Sequence, residues 1–448
     1  MRKYRRIVRN EKSVPQGYQI FLVAFGIATA LTLLSVFTGH FTAMIEGVAL
    51  FQRYLEALTL WLGGFSALSL LLVFFFYTKQ EEVSCFDIPV MSHSGKKLAK
   101  KILRLFNDKQ IVDVLKLSNA TRYGDEMPEI YVWVDDDCTN GYIAIENIGN
   151  YERLDREKYE QKLSGILSGQ MKRFAVVSSE LVQGDTYMIF YVEDTLTSNR
   201  IHIKEGIASL EEYLSDDEHS IRLSKDLVWN SDITPHMSII ARTRAGKSVL
   251  AGRYMASLMI FQGWTVEYNS AKYDRYVKQF DGKSTAIEIV ERAEHWVAVM
   301  QNRLNEVNAK GQEKYLDMVG MNDIAIFFDE LGNLNAELEM DKSLKKRWET
   351  AINKLTATGG SAGIHVIAIS QFATKEGFLP SLARVNCSDA VIMLGGAADS
   401  GDERRYLMSG FADMPKRSYG KGQGVARFVS SGKKWETPHF YETPWFDE

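Results

Sequence analysis

The stretch Ser238-Ile239-Ile240-Ala241-Arg242-Thr243-Arg244-Ala245-Gly246-Lys247-Ser248-Val249-Leu250-Ala251 decides how this chain is read. Met237 to Ile240 is an apolar strand candidate, a short loop ends in Gly-Lys-Ser, and a helical pattern runs from Ser248 to about Phe261. That order of strand, loop and helix is the context a phosphate-binding loop requires. Backbone N–H groups of such a loop, and the open end of the helix behind it, point at phosphate oxygens. Lys247 then reaches the β- and γ-phosphates of ATP, and the Ser248 hydroxyl sits on Mg2+. Ala241, Arg242, Thr243, Arg244, Ala245, Gly246, Lys247 and Ser248 are the candidate nucleotide-binding residues. Ala241 stands where the G-x-x-x-x-G-K-[ST] pattern has its first glycine; its methyl group removes no phosphate donor.

Downstream, strands and helices alternate, as a mostly parallel sheet requires. Trp264 to Tyr268 is the next strand candidate, with Asn269-Ser270-Ala271-Lys272 at its carboxyl end. Ligands of such sheets gather at that end. A long helix, Ala286 to Val307, carries Arg303. Then Asp323-Ile324-Ala325-Ile326-Phe327-Phe328-Asp329-Glu330 sets two acids at the tip of an apolar strand. Asp329 belongs beside the magnesium shell, and Glu330 polarises the water that attacks the γ-phosphate. A further apolar strand, Ile364 to Ile369, ends in Ser370-Gln371, where Gln371 can contact the γ-phosphate or that water. Lys247, Asp329, Glu330 and Gln371 are thus the catalytic candidates, with Ser248 and Asp329 as metal ligands. The fold class expected is α/β, a RecA-like motor with a mostly parallel sheet.

Upstream, residues 1–17 carry Arg2, Lys3, Arg5, Arg6, Arg9 and Lys12 against Glu11. Tyr18 to Phe37 and Ala57 to Tyr77 hold no charged residue, and each can cross about 30 Å of hydrocarbon as a helix. The connection between them holds one basic residue, Arg53, so both termini and everything after Lys79 are expected in the cytoplasm of a multi-pass membrane protein. Residues 80–224 read as a separate membrane-proximal α+β domain. Lys97 to Phe106 is a basic amphipathic helix, either solvated or lying near the membrane surface. Glu129 to Val134 and Tyr142 to Ile148 form a hairpin through Asp135-Asp136-Asp137, a turn rather than a calcium loop. Glu157 to Leu167 is a helix, and Phe174 to Ser179 with Thr186 to Glu193 a second hairpin. The acids Glu211, Glu212, Asp216, Asp217 and Glu218 mark a boundary helix and linker before the motor, residues 225–448.

The net charge of -4 over 448 residues argues neither for nor against nucleic acid. Cys85, Cys138 and Cys387 are scattered and odd in number, which excludes a disulfide framework and fits a reducing compartment. The eight histidines show no zinc spacing.

The phosphate loop, Phe327-Phe328-Asp329-Glu330-Leu331 and Ala362-Gly363-Ile364-His365-Val366-Ile367-Ala368-Ile369-Ser370-Gln371 together resemble the FtsK/SpoIIIE DNA translocases over about residues 225–430. Trp229-Asn230, Pro235-His236, Ser381 to Met393 and Asp402 to Leu407 agree in order. Two spans, no long linker and an end soon after the sheet are more similar to TcpA-like coupling ATPases of Gram-positive conjugative elements. The resemblance implies an ATP-driven, membrane-bound hexamer that moves DNA through its pore without reading sequence, together with relaxase and conjugation channel proteins. A chromosome-segregation translocase, a protein-secretion ATPase and a non-hydrolysing scaffold are the alternatives. The family's Arg-Ala-Ala-Gly box is Gly360-Ser361-Ala362-Gly363 here, without the arginine that can act across subunits; Arg347, Arg384, Arg404 or Arg405 could supply that charge instead. Candidate DNA contacts are Lys272, Arg275 and Lys278; Lys342, Lys345, Lys346 and Arg347; and Lys416, Arg417 and Lys421.

Overall fold

The computed structural model describes residues 17–42, 48–78, 88–121, 124–147, 156–182 and 186–447. The basic residues between Arg2 and Lys12, and Cys85, lie outside them. Two compact units are present, one holding the apolar helices and the other residues 89–121 and 127–448.

In the first unit, α1 (Gly17–Thr42) and α2 (Ala49–Thr78) pack side by side, each long and apolar enough to cross a bilayer. Both run past the expected spans 18–37 and 57–77. The extra turns of α1 satisfy their own hydroxyls, since Thr38 and Thr42 donate to Leu34 and Thr38 carbonyls. Between the helices, Thr29 meets Ser66 at 2.8 Å and Ser35 meets Thr59 at 2.7 Å. Outward-facing Leu33, Phe37, Leu60 and Trp61 are exposed. Apolar outside with hydroxyl pairs inside is the pattern of a hairpin solvated by lipid.

The second unit opens with α3 (His93–Leu105) and α4 (Lys109–Val114). Strands β1 (Ile130–Val134), β2 (Asn140–Glu146), β3 (Phe174–Leu181) and β4 (Tyr187–Asp194) make an antiparallel sheet in the order β1-β2-β4-β3. Helix α5 (Arg156–Met171) precedes β3. Asp135 fastens the first hairpin, accepting from the Thr139 and Asn140 N–H groups at 2.8 and 3.1 Å. Among the described residues no group of acids, histidines or cysteines is arranged to hold a metal ion.

The expected boundary helix and linker before residue 225 needs correction. Gly206–Tyr213 is a 3-10 helix, and the chain around it packs into the motor core. Ile201, Ile203, Leu210, Ile221, Leu223 and Trp229 are buried in the cluster that also contains Ile239 and Leu250. His202–Ile203 pairs in parallel with Trp445–Phe446 near the end of the chain. The acids misled because they lie on the wet side of a segment that buries Ile201, Ile203, Leu210, Ile221 and Leu223 on its other side.

The motor sheet has seven strands: β5 (Met237–Ala241), β6 (Thr265–Ser270), β7 (Ile324–Asp329), β8 (Ile364–Ser370), β9 (Ala390–Leu394), β10 (Gln423–Phe428) and β11 (His439–Glu442). Their order is β6-β7-β8-β5-β9-β10-β11; β6, β7, β8, β5 and β9 run parallel, and β10 and β11 antiparallel. Strands β5, β7, β8 and β9 are buried at every residue, as a sheet covered on both faces demands. α6 (Ala286–Ala309) and α7 (Lys342–Thr358) cover one face through Trp296, Trp348 and Leu355; Leu250, Tyr254 and Trp264 cover the other. This is the RecA-like order, with β8 inserted between the phosphate-loop strand and the acid-tipped strand. The amino-terminal end of β7 is pinned by Asp323, which takes His365 at 2.8 Å, Tyr315 at 2.5 Å and His219 at 2.7 Å.

Candidate functional site

Strand β5 hands the chain to the loop at Ala241, which is buried and still in register with Leu394 of β9. A side chain therefore costs nothing at the position where the motif has glycine. The residues that need an unusual backbone come later: Arg244 has φ +68° and Gly246 φ +106°. A Cβ on Gly246 would lie 3.3 Å from the backbone of Gly422, whose N–H donates to Ala245 O at 2.9 Å. Glycine is required there by conformation and by contact. The expected helix follows, but Val249–Ala256 is wound as a π-helix before Ser257–Phe261 becomes α-helical. Gly252 in that segment lets the Tyr276 ring approach to where a Cβ would be 2.4 Å away.

Lys247 lies against both acids. Its Nζ is 2.9 Å from Asp329 Oδ1 and 2.7 Å from Glu330 Oε1. Residues 82 and 83 positions along the chain are brought together because β5 and β7 point the same way with only β8 between them. Glu330 adopts a left-handed turn, φ +53°, and its N–H donates to Asp329 Oδ1 at 2.7 Å. Gln371, just past the tip of β8, donates from Nε2 to Glu330 Oε2 at 3.1 Å. Thr243 in the loop reaches Gln371 Oε1 at 3.4 Å. Loop, lysine, paired acids and glutamine thus form one connected cluster.

Its electrostatics follow from burial against pairing. Burial disfavours the Lys247 ammonium, but the charges of Asp329 and Glu330 outweigh it and raise its pKa. Burial would likewise raise Glu330; the hydrogen bond and charge of Lys247 prevail and lower it. For Asp329, more deeply buried, burial prevails over Lys247 and the pKa rises. Beside the same Lys247 the two acids thus shift in opposite directions, because Asp329 is the more deeply buried.

Tyr268 had no role in the sequence reading. Its buried hydroxyl donates to Asp329 Oδ2 at 2.8 Å, and burial followed by the Asp329 charge raises its pKa well above the usual value. The only hint was its place on β6, opposite Phe327 in register and two residues before the strand tip. Gly422 and Thr443, which back the phosphate loop, also went unread.

The outlying candidates divide. Arg404 is 2 % exposed and fully used on backbone carbonyls of Phe411, Ala398 and Ala412, so it cannot reach a neighbouring copy. Arg347 is forked onto Glu294 at 2.9 and 2.6 Å. Arg384 stacks on Tyr406, and Arg405 is exposed. At Gly360 a Cβ would come within 2.6 Å of Pro235 Cγ, which explains why the box lacks its arginine. Arg417 is not a surface cation: it donates to Val176 O and Ser164 Oγ of the small domain. Lys345 pairs with Glu339. Lys272, Arg275, Lys278, Lys342, Lys346, Lys416 and Lys421 are exposed. Arg303 is a brace, donating to Asn322 O and Ala362 O at 2.8 and 3.0 Å.

The Ser248 hydroxyl and the Asp329 carboxylate are hard-oxygen donors of the type Mg2+ takes. The fit is supported by the buried acids, which already gather positive charge from Lys247.

Fold and site together define an α/β chain of the RecA-like class, carrying a phosphate-loop lysine against two strand-tip acids behind a pair of apolar helices. No family model and no curated protein matches it. Among solved structures it is similar to the pCW3 conjugation coupling protein TcpA, monomer form with ATPgS, at 15% identity and TM-score 0.49, over 78% of this chain and 96% of that one. It is also similar to the cytoplasmic domain of the Thermomonospora curvata type VII secretion ATPase EccC, at 14% identity and TM-score 0.40, over 56% and 32% of the two chains. The cytoplasmic domain of EssC matches at 12% identity and TM-score 0.40, over 66% and 55%.

Proposed function

We propose that this chain is a membrane-anchored ATPase that uses ATP hydrolysis to move DNA, as the coupling protein of conjugative transfer. The observation that carries the reading is the convergence of Lys247, Asp329, Glu330 and Gln371 on one point at the carboxyl end of a parallel sheet. In that arrangement the loop N–H groups and Lys247 hold the β- and γ-phosphates. Glu330, ionised and less buried than Asp329, accepts the proton of the attacking water. Gln371 is within reach of both Glu330 and loop residue Thr243, so it can orient that water and relay the loss of phosphate. Ser248 and Asp329 would hold Mg2+, which when bound would neutralise charge on the transferred phosphoryl group.

Exposed lysines and arginines on the motor suit phosphate contacts without base reading. The DNA cargo, the hexameric assembly, the cytoplasmic orientation and the relaxase and channel partners belong to the proposal through the sequence resemblance. The test is ATPase activity of the full chain with and without single- and double-stranded DNA. Stimulation by DNA, abolished in Lys247→Ala, is expected. Hydrolysis that no DNA stimulates would remove the translocase role and leave the ATPase.

A further inference from the structure

Helix α3 carries Lys96, Lys97, Lys100, Lys101 and Arg104 in 13 residues and no acid. All five cations are exposed, and none makes an ion pair among the described residues. The helix also has an apolar side, which by sequence alone could enter a bilayer. The structure removes that option. Gly95, Ala99 and Ile102 are buried, with Gly95 so close to β1 that a Cβ would meet Val134 O at 3.1 Å. What faces outward is charge, plus Leu103 at 40% exposure. Ser92 caps the helix by accepting from the Gly95 N–H at 3.1 Å, so the face is rigidly presented.

Position along the chain selects the partner. His93 comes fifteen residues after Thr78, the last residue of α2. That length of chain spans at most about 50 Å even when fully extended. If α2 spans a bilayer, the basic face is therefore permanently tethered near lipid headgroups. Each basic residue near an anionic surface contributes about 1 kcal/mol, roughly a fivefold factor in occupancy. We infer that the outward face of α3 is a docking surface for anionic phospholipid headgroups, bound by charge alone and without insertion. The inference rests on the membrane anchor of the proposed function and is independent of ATP and DNA. Its consequence is orientational: lipid composition sets how the second unit is held at the membrane.

The test reconstitutes the full chain into lipid discs of neutral phosphatidylcholine or of phosphatidylcholine with phosphatidylglycerol. Acetylation rates of Lys97, Lys100 and Lys101 are read by mass spectrometry, with exposed Lys278 as internal control. The expected result is about tenfold slower labelling of these three in the anionic discs only, restored near 1 M salt, where screening acts within about 3 Å. In the Lys97→Glu, Lys101→Glu double variant, Lys100 should label fast in both discs; the Lys97→Arg, Lys101→Arg variant should keep Lys100 protected. Equal labelling in the two discs overturns the proposal. So does protection that appears in neutral discs only on adding a DNA duplex, which assigns the surface to nucleic acid. Failure of the chain to enter discs at all would instead strike the membrane anchor itself.

Discussion

At the scale of single residues, the site is a charge balance with one cation and two acids. Lys247 has a side chain only 10% exposed, and Asp329 3%. Replacing Lys247 with alanine leaves two carboxylates side by side without the ammonium that pairs with both. Breaking a buried pair from one side costs about 3–5 kcal/mol. Lys247→Ala should therefore lower the thermal midpoint of the nucleotide-free protein, in addition to losing ATP. Adding Glu330→Gln should recover part of that loss, because a neutral amide removes the repulsion. Calorimetry of the single and double variants checks this; an unchanged midpoint in Lys247→Ala would mean the acids are not held as described. Tyr268→Phe makes a gentler probe. It deletes one hydrogen bond to Asp329, worth about 1 kcal/mol, and should raise the Mg2+ concentration needed for half-maximal hydrolysis. If Mg2+ dependence is identical in Tyr268→Phe, the hydroxyl does not position Asp329. The meeting of Lys247, Asp329, Glu330 and Gln371 was legible in the sequence because short motifs at strand tips announce it. Tyr268 was not, because its role depends on which strand lies beside β7, and a tyrosine in an apolar run looks like core.

At the scale of elements, the buried runs Met237–Ala241, Ile324–Asp329 and Ile364–Ser370 were readable because a strand covered on both faces is almost continuously apolar. The antiparallel pair β10 and β11 was not. Its strands contain Gly424 and His439 and take their place from partners: Gly424 sits against Met393 of β9, and His439 bonds Glu193 of β4 at 2.8 Å. The start of β5 and its neighbour carry a pH prediction. His236 is buried, accepts from the Val366 N–H at 3.0 Å and bonds the Thr356 carbonyl. Burial, then the nearby His365, lowers its pKa to about 3. An unfolded histidine titrates near about 6.5. The unfolded chain thus binds the proton first, so stability is complete above about pH 6.5 and declines as pH falls toward about 3. Urea midpoints measured from neutral to acid pH should fall less steeply in His236→Gln, whose amide can make both hydrogen bonds without titrating. Parallel pH profiles for the two proteins would show that His236 is not held neutral.

At the scale of the whole molecule, composition shifts suggested a boundary near residue 225, whereas packing shows that the segment before it completes the motor. Residues 201–229 supply Ile201, Ile203, Leu210, Ile221, Leu223 and Trp229 to the cluster under β5, and Tyr254 donates to Arg222 O at 2.8 Å. Burial of a large aliphatic side chain is worth about 1.5–3 kcal/mol, so the five aliphatic residues here contribute an amount comparable to the whole 5–15 kcal/mol by which domains of ordinary size are stable. The small domain is bound in as well. Burial pushes the Glu193 carboxyl up, but His439 and Lys434 outweigh it and hold it at about 2, so an ionised acid of β4 is locked to the last strand of the motor sheet. Such coupling reads as a signal path from the membrane side only if the two parts melt together. A chain beginning at Pro89 should accordingly be soluble and unfold in one cooperative transition. A chain beginning at Lys225 should aggregate, because it exposes the underside of β5 and leaves Trp445–Phe446 without the strand at His202–Ile203. Calorimetry and size-exclusion chromatography of the two chains decide the matter: a well-folded, monodisperse protein starting at Lys225 would show that the small domain is an appendage to the part that carries Lys247.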